Sequence, residues 1–191
     1  MTRHLIIFLL LGISCLSYGQ NESSVKDFKA KIEKFINDKK SEYVTIGQTY
    51  KESGNDYILD TYSKSAWRKT VSLKKKTSFK NKYKQTVYTR LFLSFYLYDN
   101  ADECEKARSA LLKCLGTDCY QVKWGDNGSP VHSPPFIYIF NSKQIIVCHI
   151  YCEHVNDTWD LHKKELIARF GSKGSKIMEL QGCGGALKFV N

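Results

Sequence analysis

Four residues in one short stretch, Cys148-His149-x-x-Cys152-x-His154, combine the side chains that most often hold zinc, thiolate and imidazole. A metal there would need all four to converge. The stretch reads as a strand, however, and strand side chains alternate, so His149 is expected to point away from both cysteines. The same cysteines could serve as nucleophiles if His132, His149 or His162 stood within hydrogen-bond reach of a reduced thiol, but no spacing in the chain demands such a pair. His162 falls on the apolar face of a helix and reads as a core histidine. Asp126, Asp157 and Asp160 form no evident acid and base couple. No cofactor or metal is therefore called for, and no catalytic residue is assigned.

Two further groups of residues could bind a ligand. From Lys64 to Lys84 there are nine Lys or Arg residues and no acid, interleaved with Trp67, Phe79 and Tyr83. Such a run can hold a polyanion through charge and ring stacking, and it can equally be a solvated connector, the reading adopted here. The second group is a set of rings at alternating positions: Tyr88, Arg90, Phe92 and Tyr96 in one strand, Tyr138, His149 and Tyr151 in two others. Left exposed, these would form a platform for a sugar or a protein. Residues 24–62 or a second copy could instead cover them.

The cysteines point to a compartment. The chain opens with Arg3 ahead of an apolar run, Leu5 to Leu11, and closes its first segment on Ser17-Tyr18-Gly19, the pattern of a cleavable signal peptide over residues 1–19. A lipoprotein signal ending at Cys15 is the rival. Beyond it six cysteines remain, Cys104, Cys114, Cys119, Cys148, Cys152 and Cys183, an even number that in an exported protein suggests disulfides. With 191 residues and a formal charge of +10, the chain is a basic protein of about one domain, suited to anionic partners. Export disfavours nucleic acid as that partner. Asn21, Asn127 and Asn156 begin N-x-Ser/Thr sequences, read as chance occurrences.

The elements that must position these residues follow from periodicity. Residues from Ser24 to Lys40 repeat Val25, Phe28, Ile32, Phe35 and Ile36 at helical spacing, and a loose hairpin is expected between Glu42 and Tyr62. The pattern then predicts a strand at Thr86–Asp99 and a helix at Ala101–Gly116 with Cys104, Ala107, Leu111 and Cys114 inward. A long loop from Gly116 to Pro134 carries Trp124 and His132. Two hairpin strands, Phe136–Phe140 and Gln144–Cys152, precede a helix ending at Gly171 and a last strand at Lys176–Leu180.

In this order the elements are strand, helix, strand, strand, helix, strand. Over residues 86–181 the arrangement resembles the ferredoxin-like plait, an α+β fold with both helices on one face of a four-stranded antiparallel sheet. The domain organisation that follows is a signal peptide at 1–19, a helix, hairpin and connector at 20–85, and the plait at 86–191. With the first and third strands taken as parallel neighbours, the resemblance pairs Cys104 with Cys152 and brings Cys183 toward Cys119 or Cys114. A local Cys114 to Cys119 bridge is the alternative, and Cys148 is expected to be a buried thiol. The function expected is that of an exported, disulfide-stapled binding protein whose ligand is a protein or an anionic glycan. A small secreted hydrolase with its site in the 116–134 loop is the alternative.

Overall fold

The computed structural model describes residues 25–47, 59, 63–117, 134–156, 158–180, 183 and 187–190. The signal peptide expected at 1–19, Cys119, and the loop carrying Trp124 and His132 lie outside the described residues. The chain divides into two compact units, residues 1–39 and 40–191. In the first, helix α1 (residues 25–39) gathers Phe28, Ile32, Phe35 and Ile36 on one side, and the ammonium of Lys39 lies 5.8 Å over the Phe35 ring.

The second unit is α+β. Among the described residues its seven strands are β1 (Tyr43–Ile46), β2 (Trp67–Lys80), β3 (Thr86–Leu97), β4 (Phe136–Phe140), β5 (Gln144–Ile150), β6 (Lys176–Leu180) and β7 (Leu187–Val190). They form one sheet in the order β1-β2-β3-β5-β4-β6-β7, with every neighbouring pair antiparallel. Helix α2 (Ala101–Thr117) joins β3 to β4, and α3 (Thr158–Phe170) joins β5 to β6.

Local chemistry sets the ends of these elements. Asn100 Oδ1 accepts the Glu103 amide at 2.9 Å, and Asp102 and Glu103 place negative charge in the first turn of α2, where the helix dipole favours it. Asn156 does the same for α3, accepting the Thr158 amide at 2.9 Å. That role, with an Nδ2 contact to Thr89, occupies Asn156 within the fold. Helix α3 stops at Gly171, whose amide donates to the Ile167 carbonyl at 2.8 Å. A side chain at 171 would put Cβ 2.6 Å from that oxygen.

The sheet is open and antiparallel as expected of an α+β fold, but its strand order is not that of the plait. β3, β5 and β4 lie in the plait's order, first, third, second. The fourth, β6, pairs with β4 instead of β3, because the outer edge of β3 is already taken along its length by β2. Residues 67–80, expected as part of a connector, are thus a fourteen-residue strand. β1 likewise pairs with β2, and the rest of the hairpin expected between Glu42 and Tyr62 lies largely outside the described residues.

Moving β6 changes where the helices lie. Steps from β3 to β4 and from β5 to β6 go the same way across the sheet, while β3 and β5 run in opposite directions. Two right-handed crossovers of that kind place their helices on opposite faces. So it is here: Ala107, Leu111 and Leu115 of α2 pack with Tyr96, Tyr138, Phe140, Val147 and Met178, whereas Phe170 of α3 meets Phe95 on the other face, ring centroids 5.3 Å apart. In α2 Leu115, and not Cys114, completes the buried stripe. On the α3 side Lys163 reaches Glu179 of β6 at 2.9 Å and Asp160 at 2.8 Å, tying the helix to the strand it feeds.

The same topology overturns both bridges expected, Cys104 with Cys152 and Cys183 with Cys119 or Cys114. β5 runs antiparallel to β3, so Ile150 faces Leu91 and the strand ends far from the start of α2. Cys152 bonds Cys183 instead, Cα atoms 5.5 Å apart, because β6 ends beside the same end of the sheet. Cys104 and Cys148 are buried thiols. Cys114 is also in a disulfide.

Candidate functional site

β2 and β3 are longer than the strands beside them. β5 covers β3 only from Leu91 to Leu97, and β1 covers β2 only from Ser72 to Lys75, so Ser78–Lys80 and Thr86–Tyr88 pair with each other beyond the rest of the sheet. This arm has a defined tip. Asn81 Oδ1 accepts the amides of Tyr83 and Gln85, both at 3.0 Å, and Lys84 takes a left-handed conformation with φ 62°.

The arm is cationic throughout. Residues 61–98 contain no acid; Lys80, Lys82 and Lys84 lie on the arm and its tip, and Lys74, Lys75, Lys76 and Arg90 at its root. Between Lys74 and Ser78 the register shifts in a bulge that carries Lys75 and Lys76. Lys76 is held by the carbonyls of Lys40 and Ser41 at 2.7 and 3.1 Å, and Lys80 by the Thr86 hydroxyl at 2.6 Å. Two rings stand among the charges: Tyr83 is 65% exposed and Tyr88 38%. The Lys74 ammonium sits 4.2 Å from the Tyr88 ring centre, and that of Lys82 5.0 Å from Tyr83.

The seven residues expected to form a platform divide into two groups. Tyr96 and Tyr138 are buried beneath α2 and cannot meet a ligand. Expectation failed there because it placed both helices on the opposite face. The other five gather at the end of the sheet nearest the arm. Phe92 and His149 stack with centroids 5.0 Å apart, Tyr151 meets the edge of Phe92 at 5.0 Å, and Tyr88 and Arg90 continue the same face of β3 outward. Phe92 and His149 are buried, while Tyr88, Arg90 and Tyr151 keep contact with solvent. Burial holds His149 well below the usual imidazole range, at about 4, so it is neutral.

One further member escaped the sequence reading. His154 closes a short 3-10 turn, Cys152–His154, packed against β3, and meets Tyr151 edge-on at 5.2 Å. Its Nδ1 is buried without a hydrogen-bond partner. Its place in the zinc-like motif was the only signal, and alternation scattered that motif: Cys148 lies opposite Leu93 on the α3 face and His149 opposite Phe92 on the other. Among the described residues no three His, Cys, Asp or Glu side chains stand close enough to share a metal ion.

A cleft of about 380 Å³ lies at the opposite end of the sheet, between α2 and the turns after β4 and α3. Its polar groups are largely engaged with one another. Asn141 Oδ1 accepts from Ser175 at 2.6 Å, and Arg108 pairs with Glu105. Cys104 lines this cleft, its thiol donating to the Asn141 carbonyl at 3.6 Å. Burial pushes that thiol up to about 12, which leaves it protonated and unreactive.

A disulfide between Cys152 and Cys183 fits an extracellular or periplasmic protein. No helix among the described residues is long and apolar enough to cross a membrane. Comparison of the chain with protein-family models, with curated proteins and with solved structures finds no match in any of the three.

Proposed function

We propose that the protein is an exported binding protein that holds an anionic glycan along the β2–β3 arm. The observation that carries this reading is the pairing of cations with exposed rings on an acid-free arm, Lys74 over Tyr88 and Lys82 over Tyr83. An acidic sugar offers both matching surfaces at once: a carboxylate or sulfate for the ammonium and a C–H face for the ring. The arm's backbone is fixed by two-stranded pairing and the Asn81 turn, so little ordering is needed on binding. Because the attraction is chiefly between many charges, it should weaken steeply as salt rises.

The test is retention on immobilised sulfated and uronate polymers, with a neutral polymer of the same length as control. Replacing Lys80, Lys82 and Lys84 together by Glu should reduce affinity by about a hundredfold or more, on the scale expected when several charge contacts reverse sign. Undiminished binding by that variant would remove the arm from the function.

A further inference from the structure

This inference rests on the reading of the arm as a glycan surface and names the place where a single acidic group would sit. We propose that Arg90 and His154 form an anion subsite at the root of the arm, with Tyr88 and Tyr151 as its ring walls. The site takes one carboxylate or sulfate of the glycan and gains a proton at His154 when it fills.

Three independent observations converge on it. Arg90 is half-exposed and has no acid partner among the described residues, in a region of β3 that contains none. A guanidinium offers five donors in a planar fork suited to a carboxylate or sulfate. His154 is 93% buried by its 7% exposure, yet its Nδ1 makes no hydrogen bond, an uncommon state for a buried ring nitrogen. A third feature is two rings next to these groups, Tyr88 two residues from Arg90 along β3 and Tyr151 against His154 in the turn that packs on β3, both with solvent contact.

The charges acting on His154 set the sign of the effect. Its burial and the positive Arg90 hold it below the ordinary imidazole range, while Glu153, its sequence neighbour, pulls the other way. An anion seated on Arg90 would cancel the repulsion and stabilise the imidazolium. Binding then draws in a proton, so affinity rises as pH falls through the range between the two titration midpoints.

The experiment follows His154 by NMR titration in the intact exported chain, with and without a saturating sulfated polymer, a uronate polymer, or plain sodium sulfate. The midpoint of His154 should move up with either polymer, and binding should be several-fold tighter near pH 5.5 than near pH 7.5. Arg90→Lys and His154→Gln keep charge or hydrogen bonding and test the site without emptying it. Each should weaken binding by about tenfold, and His154→Gln should abolish the pH dependence. Polymer binding with an unmoved His154 midpoint would overturn the subsite and leave the arm standing. Failure of both polymers, with sulfate alone still raising the midpoint, would overturn the glycan reading and keep the subsite for a small anion. A midpoint unmoved by all three would overturn it.

Discussion

The hydroxyl of Tyr43 lies 2.9 Å from Nε2 of His162, a contact between β1, at one edge of the sheet, and the buried side of α3. The two rings also meet edge-to-face with centroids 5.8 Å apart. Burial raises the Tyr43 phenol above its ordinary range, so it is neutral at any physiological pH. His162→Phe would leave the hydroxyl buried without its imidazole partner and should cost about 1–3 kcal/mol. His162→Gln, which can still accept from the phenol, should recover part of that loss. Urea denaturation of the three forms measures both, and equal midpoints would show that the contact contributes nothing.

The Cys152–Cys183 bridge closes 31 residues that include α3 and β6. Constraint of the unfolded chain by a loop of that length is worth about 3–4 kcal/mol in the chain-entropy model. Paired replacement of both cysteines by serine should therefore lower stability by roughly that amount. Cys104 and Cys148, in contrast, should resist alkylation in the native protein and react only in denaturant, which mass spectrometry of labelled peptides can read directly.

Acid should destabilise the fold through His149. Its folded titration point, about 4, lies below the 6.5 of an unburied imidazole, so the unfolded chain binds the proton more readily. The stability this neutral ring contributes is complete above pH 6.5 and is lost as pH falls toward 4. By linkage the loss amounts to about 3 kcal/mol. Denaturation midpoints between pH 7.5 and 4 should fall accordingly, and His149→Phe, which preserves the stack on Phe92, should flatten that part of the profile.

Much of the local structure was legible because periodicity and caps are local. Helices α2 and α3, strands β3 to β6 and the stop at Gly171 all lie within a residue or two of where spacing predicts them. Strand order was not legible, since it depends on which edge is free. A basic strand such as β2 reads as solvated chain until a partner is known, yet Lys69, Lys74 and Lys75 are partly buried in it, as long cationic side chains can be when their stems lie on apolar surface. Once β2 is placed, β6 has only β4 to join, α3 changes faces, and both sides of β4 and β5 are covered. That explains why Phe136–Phe140 and Ile145–Ile150 are buried residue by residue, without the alternation a one-sided sheet would show. Of the candidate site, the residue types were visible in the sequence. Their division into buried and accessible was not, and His154 emerged only from its unmade hydrogen bond.

Among the described residues the sheet ends on both sides in strands of only four residues, β1 and β7. A longer outer strand would offer a stranger's backbone a continuous row of donors and acceptors, and this chain, rich in paired aromatic strands, would be at hazard of growing edge to edge. Short borders, with the exposed Lys188 on one of them, give an incoming strand too little to grip. The brevity of β1 and β7 is therefore expected to guard against fibril formation in a protein whose interior strands would otherwise favour it.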